Sequence, residues 1–452
     1  MIPSALLYLV FLLAFILLWF VLFKRPVYEA LFLSFLILVA ITGTWENIWQ
    51  YIDGALSTGL LYSMIAFVAM SQLLTHTKVI DSCVYLVISC FGRITGGVGY
   101  AAVITSSFMG ALSGSGPGNV MATGVITIPA MKKVGFPAHL AANVESASSY
   151  LGNMIPPSSN IVGALGAFMA LYPNSQVTSG QFWVVLWGIS LYFIVQRVLM
   201  VWAFCKYYHV KPMAKEDIPS LKETFKNGWK GLLLPVIILL PFVFDSVAAD
   251  LITERLGAAG ASAFSKCLLF FIAGIAAIYA LLIAQNRKEF TLAKLADVFG
   301  SKMKSLVGPI AACLFGYMIG ELFADIDVTT GLATFLSQMN LSHEGLAFVV
   351  PLITCFLGMI VPGSSQVVIF GPVFIAAFAA VGANPLFIAA MLPCICGVMC
   401  GITPPLALGM YAGMSIAESN FKKTVINDLW WVAAQYALEV LLLLEVLPIL
   451  GL

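Results

Sequence analysis

The chain has 452 residues, of which 61% are hydrophobic and only 10% are charged, and its formal net charge is +1 at pH 7. A soluble protein of this length needs a far more charged surface, so the composition excludes that class and predicts a membrane protein. The near-zero net charge gives no reason to expect a nucleic acid partner.

The N-terminal segment reads MIPSALLYLVFLLAFILLWFVLFKR. It has no basic residue before its apolar run and no small-residue cleavage site, and its positive charges, Lys24 and Arg25, follow the run. We therefore predict a retained first span rather than a cleaved signal peptide.

Further apolar runs follow along the chain. A helix that crosses the roughly 30 Å hydrocarbon core needs about 20 apolar residues. Runs of this kind lie at 3–23, 27–44, 56–75, 180–205, 231–249, 264–285, 305–323 and 425–449. Two longer runs, 138–172 and 385–416, are interrupted by proline pairs and predict broken helices.

Lysine and arginine orient these spans, because they are enriched in cytoplasmic loops. Basic stretches at 24–25, 206–230, 287–304 and 422–423 are predicted to be cytoplasmic, whereas 45–53, 171–179, 245–255 and 325–327 face outward. Spans that cross the membrane in alternating directions satisfy all these loop assignments only if residues 94–133 and 344–381 each return to the side from which they enter. Residues 94–133 then enter and leave on the cytoplasmic side, and residues 344–381 enter and leave on the outer side. We favour re-entrant hairpins over double spans, since residues 119–131 form only about 20 Å of helix.

The same motifs occur twice in the same order. The first half contains SGSGPGN (113–119), Pro129, FPAHLAANV (136–144) and NMIPPSSN (153–160). The second half contains VPGSSQ (361–366), Pro372, NPLFIAAML (384–392) and GITPPLAL (401–408). Together with the opposite polarity of the hairpins, this order predicts an all-α polytopic membrane protein with an inverted-topology repeat, two re-entrant helical hairpins and two broken helices.

A short amphipathic arm precedes each hairpin, VIDSCVYLVISCFGR at 79–93 and TTGLATFLSQMN at 329–340. The repeats then divide the chain into five parts. These are N-terminal scaffold spans (1–55), a first repeat (56–205), a cytoplasmic loop (206–230), a second scaffold pair (231–304) and a second repeat with the last span (305–452).

The hairpin tips and helix breaks are rich in side-chain oxygens. They include Ser113, Ser115, Asn119, Asn153, Ser158, Ser159, Asn160, Ser364, Ser365, Gln366 and Thr403. Unwound backbone between half-helices can ligate a small cation, and the half-helix N-termini can face an anion. Neutral oxygens with few carboxylates suit Na⁺ better than Ca²⁺ or a transition metal. The alternative is that glycine and serine only allow close helix packing while proline bends the helices.

These segments resemble the large membrane subunit of the tripartite ATP-independent periplasmic (TRAP) transporters, from about Gly59 to the C-terminus. The resemblance rests on SGSGPGNVMATGVITIPAMKKVGFP, NMIPPSSN, GMIVPGSSQVVIFGPVF and GITPPLALGMYAGMS. It implies an elevator-type ion-transporter-superfamily fold in the bacterial inner membrane and Na⁺-driven uptake of an organic acid. It also implies two partners, a small four-span membrane subunit and a periplasmic substrate-binding protein.

The resemblance also implies positions for the ligands. Na⁺ would be held by Ser113, Ser115, Asn119, Asn153, Pro156, Gly363, Ser364, Gly401, Thr403 and Pro404. The carboxylate substrate would contact Ser115, Gly116, Asn119, Ser158, Ser159, Ser364, Ser365 and Gln366. Glu145, in AANVESASS, resembles the family branch with a TAXI-type binding protein, although that branch often fuses its two membrane subunits.

Several charges lie within or beside apolar runs. Glu145 is either a functional acid or a structural carboxylate satisfied by Ser148, Ser149 or His139. Arg197 is predicted to extend to the cytoplasmic face near Lys206. Glu321, Asp325 and Asp327 are predicted at a solvated outer boundary, and Glu439 and Glu445 fit either a partner contact or the outer interface.

Other functions compete with this one. A stand-alone ion-coupled organic anion carrier or antiporter would share the architecture and need no binding protein. An intramembrane serine protease needs Gly-x-Ser-Gly and a histidine base, whereas Ser113 follows Ala-Leu and Ser115 follows Ser-Gly, so we predict no enzymatic activity. A channel would need a continuous polar path.

The spacing of Cys394, Cys396 and Cys400 weakly suggests a metal site, but no histidine lies near it.

Overall fold

A computed structural model describes residues 4–23, 25, 27–57, 59–113, 116–156, 158–172, 175, 177–284, 286–326, 342–359, 363–404 and 407–452. Helices dominate these residues, and no β-strand occurs among them. Within the described ranges, five short 3₁₀ helices join some of the α-helices, at Trp45–Asn47, Lys215–Asp217, Gly231–Leu233, Arg287–Glu289 and Met399–Gly401.

The α-helices follow the predicted apolar runs. The first half contains α1 (Ser4–Phe23), α2 (Val27–Thr42), α3 (Ile48–Ser57), α4 (Gly59–His76), α5 (Val79–Phe91), α6 (Gly97–Ser113), α7 (Gly116–Lys133), α8 (Ala138–Leu151), α9 (Ser159–Leu171) and α10 (Ser179–Tyr207). The second half contains α11 (Leu221–Gly228), α12 (Leu234–Val247), α13 (Ala249–Ile283), α14 (Leu292–Asp325), α15 (His343–Gly358), α16 (Gly363–Ala380), α17 (Pro385–Gly397), α18 (Leu408–Ala417) and α19 (Phe421–Leu443).

The helix breaks lie where the proline pairs predict them. One break separates α8 from α9 around Pro156, and the other separates α17 from α18 around Pro404. Helix α9 begins again because Ser158 accepts a hydrogen bond from the Asn160 amide, which satisfies one of the free donors of its first turn. At the second proline pair, residues 405–406 lie outside the described residues.

Two predicted spans are parts of longer helices. The run at 264–285 lies in α13, which begins at Ala249 and departs from helical geometry at Gly257, where φ is +72°. The run at 305–323 lies in α14, which begins at Leu292. Hydropathy detects only the apolar part of each helix, whereas the polar first turns are also helical. The first predicted arm forms α5, and the second, at 329–340, lies outside the described residues.

Few of the described helices meet the length and hydropathy of a complete membrane span. Helix α10, with 29 residues, meets both, and Lys215–Gly228 with Gly231–Asp245 meets them as a pair bent by 64°. Several other apolar segments have only 10–17 residues, and among them are Asn160–Leu171, Pro385–Gly401 and Leu408–Ala417 of the broken helices.

The hairpins and broken helices pack in a symmetric pattern. Helices α6 and α7, here called hairpin 1, pack against α8 and α18. Helices α15 and α16, here called hairpin 2, pack against α17, and α16 also contacts α9. Each hairpin therefore contacts the first half of the broken helix in its own repeat and the second half of the broken helix in the other.

The remaining helices surround this unit. Helix α14 packs against α2, α3 and α4, and also contacts α9 and α16. At its end, Asp325 accepts hydrogen bonds from Asn47 and Tyr51, and both Glu321 and Asp325 are exposed. Asp327 lies outside the described residues.

The prediction for Arg197 is wrong. Its side chain is 0% exposed and does not reach the cytoplasmic face. Nη2 of Arg197 donates to Gln435 Oε1 at 2.7 Å, and the guanidinium lies 5.6 Å from the centre of the Trp431 ring. The reason is that α10 packs against α19, whose polar side chains provide partners that the sequence of α10 alone does not reveal.

Neither predicted position of Glu439 is correct, because the side chain is fully buried. Its Oε1 accepts a hydrogen bond from Gln435 Nε2 at 2.7 Å, which connects it to Arg197 through one residue. Asp428, on the same helix, is also buried. Glu445, beyond the end of α19, is exposed.

Replacing Arg197 by leucine should destabilise the protein by about 1–3 kcal/mol, because it leaves the buried Oε1 of Gln435 without its hydrogen-bond donor. Lys206→Leu, on the exposed face of the same helix, should cost less than about 1 kcal/mol. Unfolding of the detergent-solubilised variants monitored by intrinsic fluorescence would measure both. Equal stability of the two variants would contradict the proposed role of Arg197.

Candidate functional site

The two helix breaks lie against each other. Nδ2 of Asn153, in the first break, donates to the carbonyl of Gly397, at the end of α17, at 2.9 Å. A Cβ on Gly397 would lie 3.0 Å from Nδ2 of Asn160, at the start of α9, so the backbone of one repeat approaches side chains of the other closely. Residues of both repeats therefore form one region at the centre of the packed unit.

Each hairpin reaches its helix break through glycine. A Cβ on Gly110, in α6, would collide with the Ser149 carbonyl and approach the Gly152 Cα to 3.2 Å. A Cβ on Gly358, in α15, would approach the Cys400 Cα to 3.1 Å. Gly110 and Gly358 precede Pro156 and Pro404 by the same number of residues, so the two contacts are equivalent in the repeats.

The ring of Tyr150 fills the space between hairpin 1 and the second broken helix. A Cβ on Gly116, Gly401 or Gly409 would collide with this ring. Two of these glycines, Gly116 and Gly401, are predicted site residues, and the structure gives them a packing contact that the sequence did not indicate. Because the ring belongs to α8 and the glycines to other helices, no local sequence signal could have revealed it.

Glu145 lies in a buried cluster of hydroxyl groups. Its Oε1 accepts hydrogen bonds from Thr123 at 2.5 Å, Ser106 at 2.7 Å and Ser149 at 3.1 Å. Its Oε2 accepts a fourth, from Thr127 at 2.5 Å. Glu145 is 0% exposed, and hydrogen bonds from four neutral donors compensate for part of the cost of its burial.

Only one of the partners predicted for Glu145 is correct. Ser149 binds the carboxylate, but the Ser148 hydroxyl donates to the Val144 carbonyl at 2.6 Å. His139 forms a hydrogen bond with Tyr208 at 3.2 Å instead. The reason is that Ser149, four residues after Glu145, lies on the same packed face of α8, whereas Ser148 does not. Hairpin 1 provides the other three hydroxyl donors to Glu145.

Asn119 connects this cluster to the tip of hairpin 1. Its Nδ2 donates to the Ser106 carbonyl and to Ser149 Oγ, both at 2.8 Å. Since a backbone carbonyl can only accept, the amide nitrogen must face Ser106, and Oδ1 must point the other way. Oδ1 is buried and has no hydrogen-bond partner among the described residues. A neutral, unpaired oxygen of this kind is a suitable ligand for Na⁺.

The structure places the remaining predicted residues as follows. Gly116, Asn119, Asn153, Pro156, Ser158, Gly363, Gln366, Gly401 and Thr403 are buried, Pro404 is half-buried and Ser364 is exposed. The Thr403 hydroxyl donates to the Met399 carbonyl at 2.8 Å. Ser115, Pro157 and the side chains of Ser113, Ser159 and Ser365 lie outside the described residues.

The clustered cysteines contact protein groups at the end of α17. Cys394 Sγ lies 3.4 Å from Glu439 Oε1, and Cys400 Sγ donates to the Gly397 carbonyl at 3.4 Å. Among the described residues, no group of three or more His, Cys, Asp or Glu side chains is arranged to hold a metal ion.

Helix termini lie at both hairpin tips and at both helix breaks. The N-termini of α7 and α9 lie at the first tip and break, and those of α16 and α18 lie at the second. Helix N-termini carry partial positive charge and unpaired N–H groups that favour anions, while the C-termini of α6, α8, α15 and α17 favour cations. The tips and breaks therefore carry partial charges of both signs.

Comparisons with known proteins agree with this fold. The model of the family "Tripartite ATP-independent periplasmic transporter, DctM component" matches residues 9–450. The C4-dicarboxylate TRAP transporter large permease protein DctM of Rhodobacter capsulatus is 24% identical over 385 residues, covering 83% of this chain and 82% of that protein. The sialic acid TRAP transporter large permease protein SiaM of Vibrio cholerae is 23% identical, with 86% and 84% covered.

Two solved structures share the fold. MtrF of Neisseria gonorrhoeae, described as one of a class of antimetabolite efflux pumps, has a TM-score of 0.64 at 16% identity, covering 90% of this chain and 84% of MtrF. The YdaH transporter of Alcanivorax borkumensis has a TM-score of 0.59 at 16% identity, covering 89% and 88%. Because the family model spans nearly the whole sequence, the chain belongs to the DctM family of TRAP transporter large permease components, which are integral membrane proteins.

Proposed function

We propose that this chain is the Na⁺-coupled large permease subunit of a TRAP transporter that takes up an organic carboxylate across the bacterial inner membrane. A periplasmic binding protein delivers the substrate, and a small four-span membrane subunit completes the complex. The observation that carries the proposal is the contact between the two helix breaks, through Asn153 and Gly397, together with the buried, unpaired oxygen of Asn119 near the tip of hairpin 1.

Sodium is the coupling ion that suits this region best. The candidate ligands near the breaks are amide, hydroxyl and carbonyl oxygens, and Glu145 is already surrounded by four hydroxyl donors. Neutral oxygen ligands neutralise little charge, which favours a monovalent over a divalent ion. We propose that Asn119, Asn153 and Thr403 contribute to Na⁺ binding, together with Ser113, Ser115, Pro156, Gly363, Ser364, Gly401 and Pro404.

The substrate is proposed to be an organic acid. The names of two relatives specify C4-dicarboxylates and sialic acid, which are both carboxylates. No arginine or lysine occurs in the tip and break motifs SGSGPGN, NMIPPSSN, VPGSSQ and GITPPLAL, so a carboxylate here would rely on helix N-termini and on bound Na⁺. The proposed contacts are Ser115, Gly116, Asn119, Ser158, Ser159, Ser364, Ser365 and Gln366.

The packing supports an elevator mechanism in a multi-pass protein. In this proposal the hairpins re-enter the membrane, and the hairpin and broken-helix unit moves against the scaffold parts at 1–55 and 231–304. A cavity of about 270 Å³ lies between this unit and α3 of the first scaffold part, and its walls include Gly54, Gly163 and Gly166.

In proteoliposomes that contain the chain, its small subunit and its binding protein, an inward Na⁺ gradient should drive accumulation of a labelled dicarboxylate or sialic acid. Replacing Na⁺ by K⁺ at equal ionic strength should abolish accumulation. Uptake that is the same in Na⁺ and K⁺ would refute the coupling. Full uptake without the binding protein would instead support the stand-alone carrier or antiporter.

Glu145→Gln tests whether the hydroxyl cluster supports Na⁺ binding through Ser149 and Asn119. A hydrogen bond to a charged group contributes about 1.5–3 kcal/mol, so we expect the Na⁺ concentration for half-maximal uptake to rise about tenfold or more. The substrate KM at saturating Na⁺ should change little. Ser148→Ala, on the same helix but outside the cluster, is the matched control. Equal Na⁺ dependence in both variants would make Glu145 purely structural.

A further inference from the structure

A second cavity lies outside the candidate site, on the flank of the molecule. It has a volume of about 940 Å³ and lies between the C-terminal half of α10 and the N-terminal half of α19, next to the start of α8. Met200, Phe204, Ile426 and Trp430 contribute apolar walls. We call this cavity the α10–α19 groove.

One end of the groove is polar and basic. Lys423 lines it together with His139 and Tyr208, whose side chains share a hydrogen bond of 3.2 Å. Lys423 is exposed and forms no ion pair in the part of the chain that the structure describes. No carboxylate side chain is among the residues that line the groove. The groove therefore has an unneutralised positive charge at one end and an apolar surface along its length.

The surroundings of the groove match the membrane interface. The side chains of Tyr207 and Trp430 at its rim are 74% and 65% exposed. Next to Tyr207 in the sequence, Lys206 lies 3.9 Å from the centre of the Trp202 ring, so a second lysine lies beside the groove. Exposed Trp and Tyr side chains beside lysine are typical of the level of the lipid headgroups, and the excess of lysine indicates the cytoplasmic leaflet.

This combination identifies the occupant. A soluble anion would use only the basic end and leave the apolar walls exposed, whereas an apolar protein helix would leave Lys423 without a counter-charge. An anionic phospholipid satisfies both, since basic pockets between membrane helices on the cytoplasmic side bind acidic headgroups. The interpretation depends on the membrane orientation proposed above, but not on Na⁺ coupling or on the identity of the transported acid.

We propose that the α10–α19 groove binds an anionic phospholipid, with the headgroup phosphate at Lys423 and an acyl chain along Phe204 and Trp430. The lipid contacts α8, α10 and α19 together at their cytoplasmic ends. It therefore stabilises the attachment of the long helices that follow the two broken helices.

Native mass spectrometry of the purified chain with phosphatidylglycerol and phosphatidylcholine tests this directly. The wild type should retain phosphatidylglycerol in preference, and Lys423→Gln should weaken its binding about fivefold. Lys422→Gln removes a charge that is also exposed, at the neighbouring position, which does not line the groove, and should have no effect. Ala434→Trp, which fills the groove, should abolish retention of the lipid while the protein stays folded by circular dichroism.

Several results would overturn the proposal. They are equal retention of the two lipids by the wild type, an equal loss in the Lys422 and Lys423 variants, and unchanged retention in Ala434→Trp. Displacement of the lipid by the small membrane subunit in the assembled complex would instead identify the groove as a protein interface. Sodium-dependent uptake is measured separately, so failure of the lipid site and failure of the transport proposal can be distinguished.

Discussion

The fold depends on how the unwound backbone between the half-helices is covered. An unpaired N–H or C=O group in an apolar environment costs several kcal/mol, so irregular backbone at membrane depth persists only where protein or water covers it. Each break is covered by the hairpin of its own repeat, through Gly110 against Gly152 and through Gly358 against Cys400. Asn153 then joins the two breaks by donating to Gly397. The same arrangement therefore produces both close helix packing and an array of polar groups. A packing role for the glycine and serine residues does not exclude a role of this region in ligand binding.

Buried charge is organised around this arrangement in two separate clusters. Near the first break, Glu145 is held by hydroxyl groups from α7, α6 and its own helix, which orient Ser149 and Asn119. Further away, Arg197 on α10 donates to Gln435 on α19, which in turn donates to Glu439, and the first of these hydrogen bonds joins the two helices. The first cluster borders the proposed transport site, whereas the second stabilises the helices that surround it. This division explains why a charge within an apolar run is not by itself a sign of transport.

Much of the fold could be predicted from the sequence, because glycine and proline act locally. The proline pairs at Pro156 and Pro404 predicted both breaks, and the small-residue segments predicted where α6 and α15 end. Contacts between distant residues could not be predicted in this way. Ser106 lies 39 residues from Glu145, and Gln435 lies 238 residues from Arg197, so neither partner is indicated by the neighbouring sequence. The ring of Tyr150 was missed for the same reason.

The most direct test of the proposed cation site is the thermal stability of the purified chain in Na⁺ and in K⁺ at equal ionic strength. A ligand at 100 times its Kd stabilises the folded state by about 2.7 kcal/mol, so Na⁺ should raise the Tm and K⁺ should not. Asn119→Ala should lose this rise, whereas Asn143→Ala, at a buried asparagine that binds Thr424 and Asn427, should keep it. An identical Tm in the two salts, or a Na⁺-dependent rise that survives in Asn119→Ala, would contradict the proposed cation site.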